Sequence, residues 1–418
     1  MENKTNVYDL LEQRGFIDQA TYAEELKELL GKESVTFYIG FDATADSLTL
    51  GHFLQVRVMQ HMQKFGHRPI ALLGGGTTMI GDPSGKSDMR KLLTKDDIDH
   101  NAECFKKQLS KLINFEGDPE NGIQKAIFTN NADWLLNLNF LNFMREIGVH
   151  FSVNRMLTFD AYKNRMERGL TFFEFGYMLM QSYDFLHLYR EHGCKLQLGG
   201  SDQWSNMLGG YELVRKLEED KVYSMTFKLL TTASGVKMGK TVSGAIWLDP
   251  EKTTPYEMYQ YLRNTDDRDV IKFLKLLTLL PMEEIEKYES YEGSQLNELK
   301  DLLAYEVVKD VHGVQLADEA RQASKALFGG GADLENVPFT EYDKAEFEEG
   351  KGLLTLLNET GLTSSNSEAR RLVTQNGISI DDEKVTDPKA VITLANFDEE
   401  GRMMIKKGKK VYHQIRIK

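Results

Sequence analysis

Ser34-Val35-Thr36-Phe37-Tyr38-Ile39-Gly40-Phe41 runs into Asp42-Ala43-Thr44-Ala45-Asp46-Ser47 and then Thr49-Leu50-Gly51-His52. The first eight residues, mostly β-branched or aromatic, read as a buried strand, and the stretch His52–Gly66 that follows the turn has helical periodicity. A second apolar run, Pro69–Leu73, feeds Gly74-Gly75-Gly76, and strand-length runs recur at Lys125–Thr129 and Lys195–Leu198. Helical patterns lie between them, near Lys95–Ile113, Phe140–Ile147 and Phe172–Arg190. Short apolar strands alternating with helices predict a parallel α/β sheet. Such sheets bind ligands at the carboxyl ends of their strands, near the topological switch point. The loops after Phe41, Leu73 and Leu198 are therefore where chemistry is expected.

Beyond Pro255 no strand pattern continues. Asp269–Leu280 and Leu296–His312 read as amphipathic helices with a break at Pro281, predicting an α-helical second domain. Phe328–Glu349 is glycine-rich and then acidic, which suits an exposed linker. The last segment combines helical patterns at Leu353–Glu359 and Glu368–Gln375 with strand candidates at Gly377–Ile380, Lys384–Val385, Met403–Ile405 and Val411–Ile417. A small α+β module fits it. The expected boundaries are 1–235 for the sheet domain, 236–327 for a polar loop plus helices, 328–349 for the linker and 350–418 for the final module.

A chain of 418 residues exceeds one ordinary core and, at about 150 residues per domain, calls for roughly three. With 41% hydrophobic and 28% charged residues the composition is that of a globular protein, which argues against wholesale disorder. The first residues lack the basic start and apolar run of an export signal, and no stretch approaches the ~20 apolar residues of a membrane span. Cys104 and Cys194 are too few for a disulfide framework or a four-thiolate zinc site, so two reduced thiols in a cytoplasmic protein are expected. The net charge of −13 hides an asymmetry. Residues 350–418 carry 12 basic and 9 acidic side chains, leaving −16 on the rest, and from Arg402 onward there are seven basic residues and no acid. A basic end on an acidic body points to a local polyanion contact.

Five constellations carry candidate chemistry. Gly51 beside a helix start lets a ligand approach backbone, and His52 in the first turn is placed to donate to a ligand oxygen. Gly74–Gly76 with Gly81-Asp82-Pro83-Ser84-Gly85-Lys86 forms a glycine-rich crossover whose Lys86 can meet phosphate, although the spacing is not that of a Walker A loop. Tyr177, Gln181 and Asp184, at i, i+4 and i+7, share one helix face flanked by Phe172, Phe173, Phe175, Met178, Phe185 and Leu186. Buried polar groups left unpaired cost about 1–3 kcal/mol each, so that face predicts a pocket with a polar floor. Gly199-Gly200-Ser201-Asp202-Gln203-Trp204 again follows a strand, with Asp202 placed to accept from ribose hydroxyls or an ammonium group. Lys237-Met238-Gly239-Lys240-Thr241 sits in a polar loop, where two lysines can close over a triphosphate and neutralise developing charge.

In their order and spacing these motifs resemble the bacterial tyrosyl-tRNA synthetase family of class I aminoacyl-tRNA synthetases, over essentially the whole chain. Tyr38–Asp42 and Thr44–Leu48 match the family's opening stretch. Thr49-Leu50-Gly51-His52 occupies the "HIGH" position and Lys237–Thr241 the "KMSKS" position. Gly81–Gly85, Asn130-Asn131-Ala132-Asp133-Trp134 and Gly199–Trp204 match further blocks. Ser367–Ile380 and Lys406–Lys410 are similar to an S4-type RNA-binding domain. The resemblance implies a Rossmann-like catalytic domain, an α-helical anticodon-binding domain and an S4-like RNA-binding domain. It implies ATP as substrate with Mg2+, tyrosine and tRNA(Tyr) as the other substrates, no tightly bound metal, and a cytoplasmic homodimer with no membrane association. Asn131–Val149 is then the candidate dimer interface.

By the same resemblance, Tyr38 and Asp184 hold the substrate phenol, Asp82, Tyr177 and Gln181 its ammonium group, and Gln203 lies near its carboxylate. Gly40, Asp42, Gly51, His52, Gly200 and Asp202 contact the nucleotide. Thr49, His52, Lys86, Arg90, Lys237 and Lys240 form the catalytic set, with the four cations stabilising departing pyrophosphate. A phenylalanine would leave Tyr38 and Asp184 unpaired in a desolvated pocket, and tyrosine selection in this family is itself a standard illustration of that rule.

Thr49 departs from the family, which has the first histidine of its signature there. Threonine can donate one hydrogen bond but carries no positive charge, so slower adenylate formation is expected than with histidine. Ile39 replaces a residue that is commonly a ribose-touching cysteine, and Ala43 and Ser205 stand for proline and glycine. Three rivals follow. The tryptophanyl enzyme shares the catalytic architecture but not the Tyr38 and Asp184 pair. A non-catalytic or impaired paralogue that binds tyrosine or RNA would make Thr49 the symptom of lost chemistry. A dinucleotide-dependent oxidoreductase lacks support, because no G-x-G-x-x-G follows the first strand.

Overall fold

The computed structural model describes residues 6–82, 93–159, 162–163, 166, 169–241, 244–329, 337–381, 383–398, 400–408 and 411–418. Its first compact unit comprises residues 1–238, 247–249 and 266–299, and its second residues 239–246, 250–265 and 300–418. Both units are discontinuous in sequence, unlike the contiguous segments expected, because residues 266–299 pack with the first unit.

The first unit is built on six strands: β1 (Ile17–Ala20), β2 (Thr36–Phe41), β3 (Arg68–Leu73), β4 (Ile127–Asn130), β5 (Leu196–Gly200) and β6 (Tyr223–Phe227). Their spatial order is β1-β6-β5-β2-β3-β4. All neighbours are parallel except β1, which runs antiparallel along β6. The parallel sheet read from the sequence is thus present, with an antiparallel edge strand added. Neither β1 nor β6 was anticipated. Ile17–Ala20 is only four residues with two exposed polar ones, and Ser224 and Thr226 interrupt the apolar pattern of β6 although both are fully buried.

After β2 the chain moves outward to β3 and β4, then returns across the sheet to β5 on the other side of β2. The connections diverge there, so the carboxyl ends of β2 and β5 open a crevice. Helices of Leu50–Lys64, Lys95–Leu112, Tyr177–His192 and Trp204–Glu218 connect the strands. The predicted Phe172–Arg190 helix is divided. A capping box of Thr171 and Glu174 starts a single turn over Phe172–Phe175, and the long helix begins at Tyr177 after Gly176. Farther on, helices of Pro255–Arg263, Val270–Leu277, Met282–Lys287, Gln295–His312 and Val314–Gly329 agree with the helical reading.

In the second unit a five-stranded sheet orders Glu383–Lys384, Ile378–Ile380, Arg402–Lys407, Val411–Ile417 and Phe339–Tyr342. The last of these corrects the linker reading. Phe339–Tyr342 pairs parallel with Val411–Ile417, and Tyr342 and Phe347 are buried in the same core as Leu353, Leu356 and Ile405. A strand of four residues whose partner lies about seventy positions away has no local signature, so acidic composition masked it. Among the described residues no helix is long and apolar enough to cross a membrane.

Candidate active site

A cleft of about 250 Å3 opens at the switch point between β2 and β5. Tyr38, Gly40, Asp42, His52, Asp82, Tyr177, Gln181, Asp184, Gly200, Asp202, Gln203 and Lys237 all line it. Of the other predicted site residues, Thr49 and Gly51 sit at the start of the Leu50–Lys64 helix outside that lining. Lys86 and Arg90 lie outside the described residues, and of Lys240, in the second unit, only the backbone is described.

Tyr38 on β2 and Asp184 on the Tyr177–His192 helix are deeply buried members of the lining. Asp184 Oδ2 accepts from Asn131 Nδ2 at 2.9 Å, and Oδ1 accepts from Trp134 Nε1 at 2.8 Å. Burial nevertheless dominates, and pushes the Asp184 carboxyl up to about 7 against those two donors. The Tyr38 hydroxyl is buried with no partner, and burial beside Asp184 holds its pKa well above the ordinary value. Gln181 Oε1 and Gln197 Oε1 are likewise buried without partners. Tyr38, Gln181 and Gln197 all line the cleft, and buried polar atoms without partners are the exception in folded proteins.

Three more carboxylates line the cleft. Asp42 accepts from Thr77 Oγ1 at 2.9 Å and from the Tyr177 hydroxyl at 3.0 Å. Gly74 makes that approach possible, because a Cβ there would meet Asp42 Oδ1 at 2.2 Å and Asp42 Cα at 3.2 Å. Asp82 accepts from Gln203 Nε2 at 2.6 Å and Asn206 Nδ2 at 3.4 Å. Burial, then Asp82, raises the Asp202 pKa, while Lys237 acts to lower it. Lys237 is the one lysine or arginine among the described lining residues. The cleft therefore combines buried carboxylates with one exposed cation, Lys237.

Thr49 caps the Leu50–Lys64 helix. Its backbone N–H donates to His52 Nδ1 at 3.1 Å, with its hydroxyl 3.1 Å from the same nitrogen. Nδ1 being an acceptor, the neutral imidazole carries its proton on Nε2. Burial between Phe41 and Phe105 lowers the His52 pKa to about 4, so the ring stays neutral. The Thr49 hydroxyl is thus turned to His52 rather than into the cleft.

Sequence reasoning passed over Asn131, Trp134, Thr77, Gln55 and Gln197 as site residues, all of them except Trp134 in the cleft lining. The signal for the first two existed. Asn131 follows the carboxyl end of β4, and the loop rule applied after Phe41, Leu73 and Leu198 holds equally there.

Residues 31–329 match the family model described as class I tRNA synthetases (W and Y), and residues 332–415 match that of the tyrosine–tRNA ligase SYY-like C-terminal domain. The chain is 60% identical over 411 residues to the tyrosine–tRNA ligase of Lachnoclostridium phytofermentans, covering 98% of this chain and 99% of that one. The chain belongs to the tyrosyl-tRNA synthetase family. Identity to the tyrosine–tRNA ligase of Acetivibrio thermocellus is 56% over 413 residues, covering 99% of this chain and 100% of that one. Among solved structures, the C-terminally truncated mitochondrial tyrosyl-tRNA synthetase of Aspergillus nidulans superposes with a TM-score of 0.70 at 31% identity, over 78% of this chain and 95% of that one. The tyrosyl-tRNA synthetase of Archaeoglobus fulgidus, solved with L-tyrosine, has a TM-score of 0.54 at 17% identity over 76% of this chain and 100% of that one, a likeness of fold alone. These relatives answer the tryptophanyl rival in favour of tyrosine, and the dinucleotide-oxidoreductase rival falls with it.

Proposed function

We propose that this protein activates tyrosine with ATP to tyrosyl-adenylate and pyrophosphate, then transfers the tyrosyl group to the terminal adenosine of tRNA(Tyr). One observation carries the choice of amino acid. The unpartnered Tyr38 hydroxyl and the Asp184 carboxylate are both deeply buried in the cleft lining and close enough to interact, and there one donates to and the other accepts from a phenol. Asp82, Tyr177 and Gln181 hold the ammonium group, and Gln203 lies beside the carboxylate. That carboxylate attacks the α-phosphorus in line, the bond to the bridging oxygen breaks, and pyrophosphate leaves with the electron pair. No side chain forms a covalent intermediate, so catalysis is positioning plus electrostatic stabilisation. His52 Nε2–H donates to the nucleotide, Gly40, Asp42, Gly51, Gly200 and Asp202 approach its ribose and phosphates, and Lys237 with Lys86, Arg90 and Lys240 neutralises the departing pyrophosphate.

Magnesium enters on ATP as part of the substrate. The basic end of residues 350–418 supplies local attraction for tRNA phosphates on a chain whose total charge repels them. A cytoplasmic homodimer completes the reading. In the candidate interface Asn131, Trp134 and Ile147 are buried, whereas Leu136, Phe140, Leu141 and Val149 are 50–74% exposed. Apolar side chains gathered in one exposed segment suit burial against a second copy.

Tyrosine-dependent exchange of labelled pyrophosphate into ATP, with phenylalanine and tryptophan as controls, tests the activity. Exchange with tyrosine alone supports it. Absence of exchange in protein that binds tyrosine turns the reading to a paralogue without catalysis.

A further inference from the structure

The residues that present Lys237 to the cleft form a short hairpin. Thr231 bridges Lys237, Met238 N–H donates to Leu230 O at 2.8 Å, and Thr232 N–H donates to Val236 O at 2.8 Å. Ala233 and Ser234 turn the chain, with Gly235 at φ +79°. Exposed polar hairpins of this length hold no fixed position by themselves, since few apolar contacts offset the entropy of ordering them.

This one is fastened from outside. Asp269, 2% exposed, accepts from the Ala233 N–H at 2.7 Å. Lys272, one turn farther along, donates to the Thr231 carbonyl and lies 3.6 Å from Asp269 Oδ1. One attachment falls on the arm opposite Lys237 and the other on the turn, and Lys237 itself stays exposed. Both attachments belong to the helix Val270–Leu277 and the residue before it. The other end of that helix is gripped in turn. Arg57, fully buried on the Leu50–Lys64 helix, donates to Leu277 O at 2.7 Å, and Arg14 donates to Lys275 O at 2.8 Å and Thr278 O at 3.1 Å. The Leu50–Lys64 helix is the one whose first turn presents His52. One helix thus ties the hairpin bearing Lys237 to the helix bearing His52.

We propose that Asp269, with Lys272, is a positioning residue that sets Lys237 over the phosphates, acting on the activation step and not on tyrosine recognition. This rests on the assignment of Lys237 to pyrophosphate stabilisation. Charge-assisted bonds of this kind are the stronger class, and a small misplacement of a catalytic cation has a large cost in rate.

The test is a double-mutant cycle on the full-length protein, reading tyrosine-dependent pyrophosphate exchange, equilibrium tyrosine binding and melting temperature. Asp269→Asn is expected to lower kcat about tenfold, with tyrosine Kd and its KM unchanged. Asp269→Glu is expected to recover part of the rate. In a Lys237→Ala background, Asp269→Asn should cost less than twofold further. Lys272→Met, at a half-exposed position that does not threaten the core, should reproduce the same pattern if Asp269→Asn folds poorly. Losses that multiply in the double variant overturn the proposal, as does a rate loss matched by weaker tyrosine binding. A Lys237→Ala variant with full activity removes the assignment of Lys237 itself, which is distinguishable because the single Asp269 variant is then read without it.

Discussion

His52 Nδ1 accepts the backbone N–H of Thr49 at 3.1 Å, and that bond decides which ring nitrogen carries the proton. The acceptor role of Nδ1 leaves the proton on Nε2 without help from a carboxylate. The Thr49 hydroxyl lies 3.1 Å from the same nitrogen.

Thr49→His should therefore speed formation of tyrosyl-adenylate. The backbone N–H remains to orient His52, and the new imidazole adds a donor that reaches farther. A gain of about tenfold corresponds to one bond to a charged oxygen, at ~1.5 kcal/mol. Pre-steady-state quench measurements decide it, and an equal or slower rate in the variant sinks the idea.

Trp134→Phe should weaken tyrosine binding about tenfold and leave the KM for ATP nearly unchanged. It removes the 2.8 Å donor to Asp184 and keeps the ring that stacks on His187 at 4.1 Å. Equilibrium dialysis with labelled tyrosine measures the loss. Weakening of both substrates alike would show a general collapse of the cleft instead.

Tyrosine affinity should fall as pH drops through about 7, the value to which burial lifts the Asp184 carboxyl. Below it the group is protonated and no longer a full acceptor for the phenol. The stability consequence has the opposite sense. A folded pKa above the unfolded one contributes stability that is complete below about 4 and lost as pH rises through about 7. Binding isotherms between pH 6 and 8.5 read the first effect directly.

His67 should oppose that trend. Its Nδ1 accepts from the Val35 N–H at 3.1 Å, and burial lowers its pKa to about 4. Because the folded value lies below the unfolded one, its stabilisation is present above about 6.5 and lost as pH falls toward 4. In a His67→Gln variant, melting temperature should therefore drop less between pH 7 and pH 5 than in the parent. Equal drops would remove His67 from the acid response.

Removing residues 337–418 should leave pyrophosphate exchange within about threefold of full length and reduce tRNA charging at least a hundredfold, the scale of lost multiple phosphate contacts. The cut belongs before Phe339, whose strand is part of the terminal sheet. Loss of exchange in the truncated protein would contradict the division of labour.

What local sequence carried was whatever local physics enforces. The run Ser34–Phe41 is too apolar and β-branched to be anything but a buried strand. The i, i+4, i+7 spacing put Tyr177, Gln181 and Asp184 on one face of a helix, and all three meet in the cleft. The motif order alone led to the family. Tertiary structure decided the rest, because it depends on partners distant in the chain. Phe339–Tyr342 becomes a strand only against Val411–Ile417. Asp184 acquires its raised pKa only when the fold buries it, and its two donors only when the segment after β4 brings Asn131 and Trp134 beside it. Asp269 reaches Ala233 across thirty-six positions. Periodicity reports the face a residue turns to the core. It carries no information about which other face is waiting there, and burial, charge and pairing are set by that meeting.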